Sequence, residues 1–294
     1  MKILIAVDAL YSQGNWVRTL AARPWNAGSS FCLLTVFNPY PFLAAPIIQE
    51  RLKTIMLDHL ESAAKPLREV GWDSTSTIIE GNARRDISKF AKEWHADLVM
   101  VGCNDVPDFG RLLLGSTARS VVQLAPCSVE VVRPIRQTTD AGSHQGMRIL
   151  VATDGSDFSV AAIRSVANRP WPAGSVVRIV SVPEFILLKD PSYLKTHEVK
   201  DLGEASLEDA WRCVTAGADK LAGCGLQVYS DVPALQDRPH CVILKEAEAW
   251  HADMIVVGSH GRTGFDRFVM GSVSEAVALH AKCSVEVVRK PETD

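Results

Sequence analysis

The sequence predicts an α/β protein of two tandem doubly wound domains, each carrying a parallel sheet. Three observations lead there. The chain repeats itself once, short β-branched runs alternate with helical patterns inside each repeat, and the fourth such run of the second repeat opens into a glycine-rich loop followed by a helix start.

The repeat is extensive. Met1-Lys-Ile-Leu-Ile-Ala-Val-Asp8 returns as Met147-Arg-Ile-Leu-Val-Ala-Thr-Asp154, and Arg23-Pro-Trp-Asn-Ala-Gly28 as Arg169-Pro-Trp-Pro-Ala-Gly174. Further on, Trp94-His-Ala-Asp97 returns as Trp250-His-Ala-Asp253, and Cys127-Ser-Val-Glu-Val-Val-Arg133 as Cys283-Ser-Val-Glu-Val-Val-Arg289. The separation is 146 residues early and 156 late, so the second repeat carries about ten extra residues, placed between Val182 and Asp231. A period this long belongs to a duplicated domain and not to a solenoid. The expected domains are 1–136 and 147–294, joined by a polar linker over 137–145.

In the first repeat, strands are expected near 2–7, 30–37, 75–80, 97–101 and 127–133, with helices near 14–22, 49–70, 83–95 and 116–125. The second repeat places strands near 148–153, 176–183, 226–232, 253–257 and 283–289. Met254-Ile-Val-Val257 is apolar without alternation, as befits a strand covered on both faces. Ligands of such sheets lie at the carboxyl ends of strands, where the strand order reverses. Asp154 ends the first strand of the second repeat and Gly258 follows its fourth, so a reversal between those two strands puts both residues in one crevice.

The 294 residues suffice for two cores, and 47% of them are hydrophobic. A formal net charge of −3, with both signs mixed along the chain, excludes a polybasic groove, and no nucleic-acid partner is expected. No apolar run approaches membrane-spanning length, so no membrane partner is expected either. The N-terminus enters a strand at once, without the pattern of a secretion signal, and the seven cysteines are scattered without C-x2-C spacing. Both features point to a reduced, cytoplasmic protein.

The chemistry concentrates in Gly258-Ser-His-Gly261 and Gly271-Ser272, which together spell G-x2-G-x9-G-S. A glycine-rich turn between a buried strand and a helix exposes backbone N–H groups that have no partner of their own, and the helix dipole adds partial positive charge. Phosphate is the anion such a corner most often takes. Ser272-Val-Ser-Glu275 also matches the S-x-x-E capping box. The dinucleotide loop G-x-G-x-x-G is absent after either first strand, as are G-x-x-x-x-G-K-[ST] and the nucleophile elbow G-x-S-x-G.

With first-strand aspartates at 8 and 154, G-x2-G-x9-G-S at 258–272 and final strands of the type Cys-Ser-Val-Glu-Val-Val-Arg, the chain resembles the universal stress protein family in its tandem-domain form. The likeness covers essentially the whole sequence. It implies a five-stranded sheet of order 3-2-1-4-5 in each domain (an adenine nucleotide alpha hydrolase-like fold), ATP in the nucleotide-binding branch, and domain pairing through the last strands, with a homodimer as an option. By the same resemblance, Asp154 stands at the adenosine end and the backbone of Val182 at the adenine. Val257, Gly258, His260 and Gly261 line the ribose and the α- and β-phosphates, while Gly271, Ser272, Val273 and Ser274 hold the distal phosphates.

The residue chemistry agrees with that assignment. A carboxylate repels phosphate, which puts Asp154 at the sugar end, and the hydroxyls of Ser272 and Ser274 add donors without bulk. Arg262 is either a cation for the phosphates or a surface charge, and a bound triphosphate brings Mg²⁺. His260, in a polar loop, is expected to be solvated and to act mainly through its backbone. No catalytic side chain and no protein ligand to a metal is expected. The first repeat keeps Gly102, Gly115 and Ser116, but Asp105 replaces Gly261, Ala118 replaces Ser274 and Arg119 replaces Glu275, so its site is expected to be degenerate. The segments 39–46 and 183–191 are expected to pack on the core, with a cover over the site or a partner patch as alternatives. The expected function is an ATP-binding stress-response regulator with little turnover; a slow ATP hydrolase or phosphoryl-transfer enzyme and a dimerising scaffold are the alternatives.

Overall fold

The computed structural model describes residues 1–9, 15–103, 114–133, 146–183, 197–234, 237–262 and 270–290. The N-terminal half runs β1 (Lys2–Ala6), α1 (Asn15–Ala21), β2 (Ser30–Phe37), α2 (Pro46–Glu69), β3 (Asp73–Glu80), α3 (Ala83–Glu93), β4 (Leu98–Gly102), α4 (Ser116–Leu124) and β5 (Ser128–Val132). The C-terminal half repeats the order with β6 (Arg148–Ala152), α5 (Asp157–Ala167), β7 (Val176–Val180), α6 (His197–Leu221), β8 (Gln227–Asp231), α7 (Pro239–Ala249), β9 (Met254–Gly258), α8 (Ser272–His280) and β10 (Ser284–Val288).

The strands lie in the order β3-β2-β1-β4-β5-β10-β9-β6-β7-β8, so each half reads 3-2-1-4-5 from its own edge and the fold class is the expected one. Pairings within each half are parallel. Where the halves meet, β5 and β10 run antiparallel, with Glu130 opposite Glu286. The order reverses at β6, which pairs with β7 on one side and β9 on the other, and the crevice between their carboxyl ends opens there.

The elements follow from the patterning. Ile3, Leu4 and Ile5 of β1 and all of β9 are buried, as strands covered by helices on both faces must be. On its inner face α2 buries Met56, Leu60, Ala64 and Leu67, one stripe at helical spacing. The central core is shared by the halves: Val129 and Val131 pack in one cluster with Val285 and Val287.

Two arginines reinforce the joint by reaching across it. Arg133 donates through Nη2 to Ala278 O at 2.6 Å and through Nη1 to Cys283 O at 3.2 Å, while Arg289 donates to Val122 O at 3.0 Å and Gln123 O at 2.9 Å. Each arginine thus serves at least one carbonyl in the last turn of the other half's last helix, where a cation is favoured by the dipole, and Arg133 also serves Cys283 just ahead of β10.

One expectation about loops holds only in part. The segment 39–46 packs on the core through Phe42 alone: it forms a single turn of 3₁₀ helix, Tyr40–Phe42, with Phe42 stacked on Phe37 while Tyr40 and Leu43 face outward. Phe42 alone finds an apolar partner below, so the residues flanking it are turned away. The linker 137–145 and residues 184–191 of the other segment lie outside the described residues.

Candidate functional site

The crevice holds a cavity of about 310 Å³. Its walls include Asp154, Val182, Val257, Gly258, His260, Gly261, Arg262, Gly271, Ser272, Val273 and Ser274, so the fold brings every expected site residue to one place. Val182 lies two residues beyond the end of β7 rather than on it. An apolar portion, Val180, Val182, Pro183, Ala210 and Ile243, accompanies the glycine loop in the lining.

The glycines are required by contact. A Cβ on Gly258 would lie 2.6 Å from Phe158 C and 2.7 Å from Phe158 O, the backbone at the start of α5. One on Gly261 would lie 2.8 Å from Asp154 Oδ2, and one on Gly271 would lie 3.2 Å from Ser259 O. At Gly258 strand and helix start therefore come together at a distance that only a missing side chain permits, while Gly271 is tight and Gly261 meets only the end of a side chain.

Asp154 is held by main-chain donors. Its Oδ1 accepts from Ser156 N and its Oδ2 from Arg262 N, both at 3.0 Å. The first bond is an Asx turn leading into α5, whose N-cap is Ser156. The second ties the loop after β9 to the end of β6.

Four expectations about side chains need correction. First, Ser272 and Glu275 make no capping box. The helix begins at Ser272 with Gly271 as N-cap and no side-chain cap, and Glu275 instead accepts from Arg119 Nη2 at 3.0 Å and Gln123 Nε2 at 2.8 Å. Two donors from the other half outbid one local amide. Second, His260 is buried, its ring 4.7 Å from that of Phe158, because α5 packs directly over the loop. Its Nδ1 meets Ser259 Oγ at 3.0 Å, and its Nε2 is buried without a hydrogen-bond partner.

Third, the hydroxyl of Ser274 is committed to Gly258 O at 2.5 Å, tying α8 to the end of β9. Its single proton is spent there, which leaves Ser272, also in the cavity lining, as the hydroxyl at this helix start available to a ligand. Fourth, Arg262 is neither an unpaired cation nor a plain surface charge. Its Nε donates to Asp154 O at 2.5 Å, its Nη2 contacts Cys213 Sγ at 3.4 Å, and Nη2 also forms an ion pair with Asp209 of α6.

Asp209 is the residue that sequence reasoning missed. With Ser206 and Ala210 it forms a helical face of α6 that walls the cavity. Ion pairing with Arg262, and then Arg212 nearby, holds its carboxyl below the usual carboxylate range. Of the first-repeat counterparts, Ala118 is buried on α4 and Gly102 ends β4, whereas Asp105 lies outside the described residues.

A sequence profile of the Universal stress protein family matches residues 1–133 and again 147–289. A universal stress protein from Mycolicibacterium smegmatis is 33% identical over 201 residues, which is 66% of this chain but 62% of that relative, less than two thirds of its length. One from Methanocaldococcus jannaschii is 30% identical over 156 residues, 52% of this chain and 88% of the relative. The crystal structure of a universal stress protein from Archaeoglobus fulgidus superposes with a TM-score of 0.61 at 19% identity, covering 100% of this chain and 97% of the other, a likeness of fold. Each half matches the profile and carries the same strand order, and the chain belongs to the universal stress protein family as a tandem of two such domains.

Proposed function

We propose that the C-terminal domain, residues 147–294, binds ATP with Mg²⁺ in this cavity, and that the protein acts as a nucleotide-dependent regulator of a stress response in the cytoplasm. The N-terminal domain, residues 1–136, then serves as a structural partner with a degenerate site. The observation that carries the proposal is the start of α8: its first turn receives no side-chain cap, and Ser272, Val273 and Ser274 line the cavity beside Gly258, Gly261 and Gly271. The apolar lining offers a place for a base. Among the described residues no group of three or more His, Cys, Asp or Glu stands ready for a metal, so Mg²⁺ enters with the phosphates that bind it.

Titration calorimetry with Mg·ATP tests this directly. One ATP per chain, lost in Gly261→Asp, is expected; no binding, or two ATP per chain, overturns the assignment. A time course with γ-labelled ATP separates a regulator, which retains intact nucleotide, from a hydrolase.

A further inference from the structure

The first turn of α8 carries a carboxylate of its own, a built-in rival to any anionic ligand at that helix start. Glu275 stands three residues after Ser272, the spacing at which a glutamate reaches back to a first-turn amide, and the helix dipole draws a carboxylate to the same place. Left to itself, Glu275 would compete for the amides of Ser272, Val273 and Ser274, the residues that line the cavity. The fold directs it elsewhere. Both hydrogen bonds that Glu275 accepts among the described residues come from α4 of the N-terminal half, from Arg119 Nη2 at 3.0 Å and Gln123 Nε2 at 2.8 Å. Arg119 and Gln123 lie four residues apart, so one face of α4 presents both donors.

The clasp runs in one direction. At the separation of 156 residues, Arg119 is the counterpart of Glu275, and Gln123 is the counterpart of Leu279, which has no donor to return. The N-terminal half therefore supplies the donors and the C-terminal half the acceptor. We infer that Arg119 and Gln123 are positioning residues of the C-terminal nucleotide site: they withdraw Glu275 from the start of α8 and leave that end of the helix to the phosphates of the ligand. The inference rests on the nucleotide reading of the cavity and extends it, since the N-terminal half becomes part of what makes the site competent. Releasing Glu275 acts twice at one place. Its carboxylate becomes a rival acceptor for the first-turn amides, and its charge, no longer neutralised by the guanidinium, repels phosphate. The Glu275 side chain is only 27% exposed, so solvent screens that charge less than it would a fully exposed one.

Calorimetry with Mg·ATP on the full chain tests the inference through two variants that break the same contact from opposite sides. Arg119→Ala/Gln123→Ala frees the carboxylate and is expected to weaken binding about three- to tenfold. Glu275→Ala breaks the clasp equally but removes the rival, and is expected to bind at least as tightly as wild type. Adding Glu275→Ala to the double variant restores the affinity. If the clasp served only to brace the joint, both sides would lose affinity alike and the triple variant would not recover. Equal losses on the two sides, a double variant within about twofold of wild type, or a triple variant that stays weak overturns the inference while the nucleotide reading stands. A wild type that binds no Mg·ATP overturns that reading, and the inference with it.

Discussion

Arg119 and Glu275 hold equivalent positions in the two repeats, and they meet each other across the junction, Nη2 to Oε1 at 3.0 Å. Two identical domains joined in this way would bring like charges together at that point. After duplication the two sides carry opposite signs, which favours pairing of unlike halves over pairing of like ones. The contact is half-exposed and contributes only ~0.2–1 kcal/mol. Arg119→Glu is expected to lower stability by about 1 kcal/mol, because repulsion replaces attraction, and Arg119→Glu/Glu275→Arg to recover most of it. Urea midpoints of the single and double variants check this.

Deeper in the same joint, Glu130 and Glu286 face each other with their side chains almost wholly buried, each neutralised by the arginine of its own Arg-Pro-Trp motif. Arg23 reaches Glu130 at 2.7 Å; Arg169 pairs with Glu286, which also accepts from Ser165 Oγ at 2.9 Å. Removing one partner strands a buried carboxylate opposite another. Arg169→Met is expected to cost about 3–5 kcal/mol, while Arg169→Met/Glu286→Leu costs clearly less, since no uncompensated charge remains. A double-mutant cycle in denaturant measures the difference.

The clasp between Arg262 and Asp209 makes a prediction for pH and for affinity. The folded-state pKa of Asp209 lies below its unfolded value, so the group stabilises the fold above the ordinary carboxylate range, near ~3.9, and that stability is lost as pH falls through the depressed value. The stability gap between wild type and Asp209→Asn should therefore be full at neutral pH and close only at acid pH. Losing the carboxylate also releases the guanidinium towards an incoming phosphate. Asp209→Asn is thus expected to tighten Mg·ATP binding several-fold, up to about tenfold, and to make it more sensitive to salt. Weaker binding in that variant would mean that Asp209 itself contacts the ligand.

Much of the site could be read from spacing because backbone constraints leave their mark in sequence. Gly258, Gly261 and Gly271 are glycines for reasons of contact, and Asp154 stands where its strand ends, so all four fall on one crevice once the strand order is known. The partners of the charged residues could not be read the same way. Asp209 is one polar residue among many on a 25-residue helix, 53 positions before Arg262, and nothing in helical periodicity says which polar face meets the loop. Ser272 and Glu275 satisfied a local rule, yet the carboxylate had two better donors in the other half. His260 looked polar by its neighbours and is buried by Phe158, a residue 102 positions earlier.

The loop glycines divide into one that the fold needs and one that the ligand needs. At Gly258 an added methyl strikes the backbone of α5, at 2.6 Å from Phe158 C, and neither strand nor helix can yield without disturbing the core between them. Gly258→Ala is therefore expected to cost about 1–3 kcal/mol, seen as a lower melting temperature with or without nucleotide. At Gly261 the added methyl meets only Asp154 Oδ2, the end of a side chain that can rotate. That rotation breaks the 3.0 Å bond from Arg262 N and displaces the loop from the cavity wall, while the core stays intact. Gly261→Ala should accordingly melt within about 1 kcal/mol of wild type and lose at least about tenfold in Mg·ATP affinity. Calorimetry and thermal melts on the two variants separate the roles, because only a site that depends on close backbone approach loses affinity without losing stability.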